Sequence, residues 1–194
     1  MASSPKILAF AGSTRAESFN KKLVRVAVEG ARTAGAEVTL IDLRDYPLPL
    51  YDGDLEAAQG LPEKARDLKA VFLAHDGLLL SCPEYNSSIT AVLKNTIDWV
   101  SRPVPNEPPL AAFTGKIASL MSASPGALGG LRGLVHVRAI LGNIGVIVLP
   151  EQVAVSRAGD AFDEQGRLKE AKQQAAILNL GKGLANFLSK LKRD

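Results

Sequence analysis

The chain has 194 residues, 46% of them hydrophobic and 22% charged, which suits one α/β domain, residues 1–194, with a single aliphatic core. One cysteine, Cys82, excludes an intrachain disulfide and a cysteine-built metal cluster, and two histidines, His75 and His136, argue against a zinc site, so no metal is expected. The net charge of +3 is small and dispersed, its one dense cluster (Lys190, Lys192, Arg193) suits the negative end of a terminal helix, and no recognition motif accompanies it, which argues against nucleic acid.

The segment before Lys6 carries no basic n-region, and the following apolar run is too short for a signal or a membrane span, so the expected setting is cytoplasmic. Lys6–Ala11 reads as a buried strand. Residues 18–33 read as a helix, with Leu23, Val24, Ala27 and Ala31 at helical spacing and Gly35 marking its end. Residues 37–42 alternate as a second strand, and 44–60 read as loop. A helix follows at 61–75, with Pro62 in its first turn. Gly77–Ser81 is continuously apolar, as parallel strands covered on both faces are. Residues 90–101 read as helix, the Pro-rich 102–113 as loop, 116–122 as strand and 129–143 as helix. A fifth strand at 146–153 is interrupted by Pro150, and a long helix spans 169–192. Five strands alternating with five helices predict a parallel, doubly wound sheet with helices on both faces.

In such sheets ligands bind beyond the carboxyl ends of the strands, near the reversal of strand order. The segment after the first strand, Gly12-Ser13-Thr14-Arg15-Ala16-Glu17-Ser18-Phe19-Asn20, combines hydroxyls, an amide and a cation ahead of a helix N-terminus, where backbone N–H groups are free. Such a loop can wrap a terminal phosphate; the same residues would also make an ordinary helix cap on Ser18. Neither the ATPase loop nor the dinucleotide glycine fingerprint is present, so a mononucleotide such as FMN suits the loop better. After the third strand, Cys82-Pro83-Glu84-Tyr85-Asn86-Ser87-Ser88-Ile89-Thr90 could support a flat ring, or could simply cap the next helix. After the fourth, Ser122-Ala123-Ser124-Pro125-Gly126-Ala127-Leu128-Gly129-Gly130 lets backbone approach a planar ligand, or forms a plain turn. His75, His136 and Cys82 read as structural.

These residues resemble the NADPH-dependent FMN reductase family of quinone, chromate and azo-dye reductases. The match runs through Gly12-Ser13-x-Arg15-x-x-Ser18-x-Asn20-x-x-Leu23, then Pro83-Glu84-Tyr85-Asn86-x-Ser88 continuing into Leu93-Lys94-Asn95-x-Ile97-Asp98-Trp99-x-Ser101-Arg102, then Ser122-x-Ser124-x-Gly126-x-x-Gly129-Gly130, followed by Arg132 and Arg138. Thr90 stands where many relatives have proline. The resemblance implies a flavodoxin-like flavoprotein, an oxidoreductase taking NADPH or NADH as co-substrate and FMN as cofactor. It places Ser13, Arg15, Ser18, Phe19 and Asn20 at the FMN phosphate. It places Pro83, Glu84, Tyr85 and Asn86 at the isoalloxazine, with Ser122, Ser124 and Gly126 beside the ring. It further implies a small-molecule acceptor, no catalytic side chain beyond the flavin, and a homodimer or homotetramer. The helix bearing Asp98, Trp99 and Arg102 would belong to the subunit interface or to core packing. Lys94, Arg102 and Arg132 are candidates for the second phosphate cluster of NADPH. A flavodoxin-type carrier or an FMN-binding regulatory module without NAD(P)H turnover is the alternative; carriers of that type are strongly acidic, and this chain is basic.

Overall fold

A computed structural model describes residues 3–192; Arg193 of the basic cluster lies outside them. The strand Lys6–Ala11 (β1) leads to the helix Phe19–Thr33 (α1) and the strand Glu37–Leu40 (β2). The helices Gly53–Gln59 (α2) and Glu63–Leu73 (α3) precede the strand Gly77–Ser81 (β3). A hairpin of Glu84–Tyr85 (β4) and Ser88–Ile89 (β5) comes before the helix Ala91–Val100 (α4). The strand Ile117–Ala123 (β6), the helix Leu131–Asn143 (α5), the strand Ile147–Val155 (β7), the short helix Ala158–Ala161 (α6) and the helix Ala171–Leu191 (α7) follow.

Five strands pair in parallel in the order β2-β1-β3-β6-β7. This is the flavodoxin-like order, with its reversal between β1 and β3. Side chains alternate across the sheet. Ile7, Ala9 and Ala11 of β1 join α1 and α7 in one apolar layer, whereas Leu8 and Phe10 join α3, α4 and α5 in the other. The first layer is unusually close. A Cβ on Gly30 of α1 would lie 2.0 Å from the Leu178 carbonyl oxygen, and one on Gly181 of α7 would lie 1.9 Å from that of Ala27. Bare backbone at both positions lets the two helices touch.

Several boundaries differ from the sequence expectation for physical reasons. Ser18 lies outside α1 as its N-cap, and α1 ends in a Schellman arrangement, with the Gly35 and Ala36 amides donating to the Arg32 and Ala31 carbonyls. β2 stops at Leu40 because Asp42 leaves the ladder to accept the Arg44 amide at 3.0 Å and start a 3₁₀ turn, Leu43–Asp45. The 44–60 stretch contains α2, capped by Asp52, whose seven residues bury no side chain and carry no apolar stripe to announce it. β7 runs through Pro150 to Val155 because its register with β6 jumps there, so no ladder hydrogen bond is needed from the proline. Among the described residues no helix is long and apolar enough to cross a membrane.

Candidate active site

Parallel pairing brings the chain out of β1, β3 and β6 at one end of the sheet. The three loops meet there around a narrow cleft of about 40 Å³, open to solvent. Ser13, Arg15, Ser18, Phe19 and Asn20 line it from the first loop, Pro83, Glu84 and Tyr85 from the second, and Ala123, Ser124 and Pro125 from the third.

Asn20 ties the loops together. Its amide oxygen accepts from the Ser81 hydroxyl (2.8 Å) and the Ala123 amide (3.0 Å), and its Nδ2 donates to the Ala123 carbonyl (2.8 Å). One side chain on α1 thus fixes the ends of β3 and β6. The Thr90 hydroxyl, N-cap of α4, donates to the Gly12 carbonyl at 2.7 Å and accepts the Leu93 amide. A threonine hydroxyl can make both bonds, and a proline at this position could make neither. Ser18 is buried, yet its side chain makes no cap bond to α1; the Lys21 and Lys22 amides both use its backbone carbonyl. The Ser18 hydroxyl and the Phe19 and Asn20 amides, at the cleft wall, are therefore left without an intrahelical partner. Ser13 Oγ accepts the Arg15 amide at 3.2 Å. The exposed Arg15 side chain makes no salt bridge among the described residues.

The second loop is a β-hairpin, too short to show alternation in sequence. Its central residues, Asn86 and Ser87, have φ of 50° and 65°, the left-handed pair that a type I′ turn uses. Asn86 sits on the exposed tip, outside the cleft lining. Glu84 is turned toward α5. Its Oε1 accepts Arg132 Nε and Nη2 at 2.9 and 2.6 Å, and its Oε2 accepts the Gly133 amide at 3.0 Å, capping the helix from another element. Burial works to raise the Glu84 carboxyl, but the Gly133 amide and the Arg132 guanidinium outweigh it and hold it below the ordinary carboxylate range. Tyr85 is 52% exposed at the mouth.

Ser122, expected in the third loop, is still within β6 and does not reach the cleft. It is fully buried, and its hydroxyl donates to the Gly129 carbonyl at 2.6 Å. Gly129 and Gly130 have φ of 62° and 93°, and a Cβ on Gly130 would press to 2.6 Å from Ser122 Oγ, so this turn admits only glycine. Ser124 Oγ accepts the Gly126 amide at 3.3 Å; Gly126 is exposed and does not line the cleft.

Other candidates are committed to the fold. Cys82 is fully buried, and burial pushes its thiol up to about 12. His75 bonds the Val71 carbonyl and the Thr39 hydroxyl, and His136 bonds Ser88 on the hairpin. Lys94 pairs with Asp98, Arg132 with Glu84, and Arg102 lies over the Tyr51 ring at 5.1 Å. Trp99 is core: its indole N–H and Asn95 Nδ2 both donate to the Pro49 carbonyl at 2.8 Å, while the Tyr51 amide donates to Asn95 Oδ1. That motif anchors the 46–60 segment. One supporting residue had no sequence signal. Arg44, far from the loop in the chain, donates Nε and Nη2 to the Thr14 carbonyl at 3.2 and 2.9 Å and pins the first loop from outside.

The sequence profile described as NADPH-dependent FMN reductase matches residues 5–160. An NAD(P)H-dependent FMN reductase of Pseudomonas aeruginosa is 38% identical over 173 residues, 89% of each chain. A quinone reductase of Escherichia coli K12 is 34% identical over 136 residues, 70% of this chain and 69% of its own. Among solved structures, a flavoenzyme NAD(P)H:(acceptor) oxidoreductase of Paracoccus denitrificans superposes with a TM-score of 0.80 at 26% identity, covering 96% of this chain and 98% of its own.

Proposed function

The chain belongs to the NADPH-dependent FMN reductase family, and from that premise we propose that the three-loop cleft is where it holds FMN and meets its substrates. The protein is an NAD(P)H-dependent FMN oxidoreductase that delivers electrons to a small-molecule acceptor. The quinone reductases among its relatives favour a quinone, for which the balanced reaction is NAD(P)H plus a proton plus quinone giving NAD(P)⁺ plus quinol. Chromate, azo compounds and free flavin are further acceptors of the same class.

The donor set fits an anion. Arg15 is a free cation, Ser13 and Ser18 add hydroxyls, and α1 presents its positive end. Among the described residues the only carboxylate lining the cleft, Glu84, is already paired with Arg132, so none of them sets a free negative charge against a phosphate. In this reading Ser13, Arg15, Ser18 and the amides around Phe19 hold the phosphate. Asn20 is a positioning residue with one amide hydrogen left to point at the ligand. Pro83, Tyr85, Ser124 and Pro125 flank the ring, and Glu84 fixes the hairpin against α5. Asn86, Ser122 and Gly126 support these walls from outside the cleft.

FMN, when bound, supplies the redox chemistry, taking two electrons and hydrogen from the nicotinamide and passing them to the acceptor. Among the lining side chains, Glu84 is held ionised by the Gly133 amide and the Arg132 guanidinium, so it does not offer the proton that quinol formation consumes. That proton comes from water at the open mouth. The working unit in this reading is one domain in a cytoplasmic homodimer or homotetramer, with no nucleic-acid or membrane partner. The exposed Leu128, Leu131 and Val135 beside the hairpin support self-contact.

The observation that carries this reading is the convergence of a free cation, unused helix-terminal donors and no free carboxylate at the reversal point of the sheet. The test is to load the protein with FMN and add NADPH or NADH without oxygen. Loss of the oxidised flavin's visible absorbance, and its return when a quinone is added, are expected. Bound flavin that stays oxidised would overturn the assignment of the cleft as a reductase site.

A further inference from the structure

The sheet has a second hollow, which shares no lining residue with the cleft. β7 pairs with β6 as Ala118↔Val148 and resumes as Leu120↔Gln152, so residues 149–151 arch away from the neighbouring strand. Pro150 sits in that arch and has no N–H to give a ladder. Between the arch and α7 lies a hollow of about 330 Å³, within the size range of small-molecule sites. Leu149, Val153, Ala176 and Leu180 supply apolar walls. A Cβ on Gly183 of α7 would meet no atom within 4 Å, so the helix leaves this space open.

Ser119 of β6 belongs to the lining of this hollow and is 1% exposed. By alternation its side chain stands on the α7 side of the sheet, with Ile117 and Met121. Its hydroxyl has no hydrogen-bond partner. Among the described residues only a Glu107 oxygen shares that status, and it lies 2.7 Å from the Lys69 ammonium. A buried hydroxyl left alone is costly, and native proteins satisfy nearly all of them. The remaining polar lining is neutral or solvated: Gln152 Oε1 accepts from Arg138, and Asn179 and Glu151 are exposed. Glu151 repels anions, and the apolar walls offer nothing to a buried cation. A flat sheet surface on one side and a helix on the other favour a planar body.

We propose that this hollow binds a compact, uncharged, single-ring molecule bearing a hydroxyl or carbonyl oxygen, of the phenol or quinone class, with that oxygen on Ser119 Oγ. The ring rests on Leu149, Val153 and Leu180, and its edge fills the space over Gly183.

Phenol titrated into ¹⁵N-labelled, FMN-loaded protein tests this. Saturable shifts are expected at the amides of Ser119, Val153, Leu180 and Gly183, and the same shifts should appear without FMN, so failure of FMN to bind would bear on the cleft alone. Ser119→Ala should weaken phenol about 3- to 10-fold, the loss of one hydrogen bond, while leaving the weaker binding of toluene unchanged. Gly183→Leu, which fills the hollow, should abolish both. Four outcomes would each overturn the proposal: no saturable shifts, as for a hollow holding water only; shifts confined to the cleft loops; equal phenol affinity in Ser119→Ala; or shifts at these amides that track protein concentration in place of phenol, marking a contact between copies.

Discussion

Asn20, in the first turn of α1, and Arg15, five positions earlier in the loop before it, do opposite work. Asn20 uses its oxygen and one N–H on Ser81 and Ala123, so it holds the loops in register, whereas Arg15 is left without a salt bridge at the mouth. Glu84 divides likewise: its backbone belongs to the hairpin, and its carboxylate caps α5. Charge-assisted bonds to phosphate are stronger than neutral ones. Replacing Arg15 and Ser13 together with alanine should therefore raise the FMN dissociation constant about 30-fold or more, with the melting temperature of the FMN-free protein little changed. Retention of flavin at wild-type affinity, read by fluorescence titration, would move the phosphate site elsewhere.

Elements are placed by close approach as much as by apolar pattern. α1 and α7 pack with backbone against backbone at Gly30 and Gly181, and any side chain there meets a carbonyl oxygen at about 2 Å. Gly30→Ala forces the helices apart, since neither backbone can yield locally. A loss of about 2 kcal/mol or more is expected in urea unfolding, despite alanine's better helix propensity. An unchanged or raised midpoint would mean that α7 docks more loosely. The hairpin β4–β5 depends on α5 through Glu84 with Arg132 and Gly133, and Ser88 with His136, so the second loop of the cleft is carried by a helix that follows it in the chain by some forty residues.

For the molecule as a whole, three carboxylates join distant parts of the chain. Asp42 binds Lys21, Asp76 binds Lys192 and the Lys6 amide, and Glu84 binds Arg132 and the Gly133 amide. Burial works to raise all three, and their hydrogen bonds and paired cations more than reverse it, holding each below its ordinary value. A carboxyl depressed in the folded state contributes stability that is complete above its unfolded pKa and is lost as pH falls through the folded one. Stability should therefore be nearly level from neutrality to about pH 5 and should fall below about pH 4. Chemical denaturation at stepped pH would show this; a decline already under way at about pH 6 would mean that these three carboxylates do not set the acid sensitivity. Cys82 contributes nothing across this range, because its thiol stays protonated in the core.

The sequence by itself determined the sheet, because the apolar runs within Lys6–Ala11 and Gly77–Ser81 are short, suit strands covered on both faces, and alternate with helices that carry apolar stripes at helical spacing. It also placed the three polar loops at one end, since parallel strands emerge together. Short elements left no trace: α2 has no buried face, and two-residue strands cannot alternate. Only the tertiary structure decided which side chains in those loops are free. Ser122, near the end of β6, and Arg15, in the loop after β1, are both polar residues close to a strand end, and neither residue type says which of them is sealed. Ser122 is sealed because its hydroxyl donates to the Gly129 carbonyl, and Arg15 is open because no carboxylate among the described residues pairs with it. Hydrogen-bond partners from distant segments fix that difference, and such partners exist only once the chain has folded.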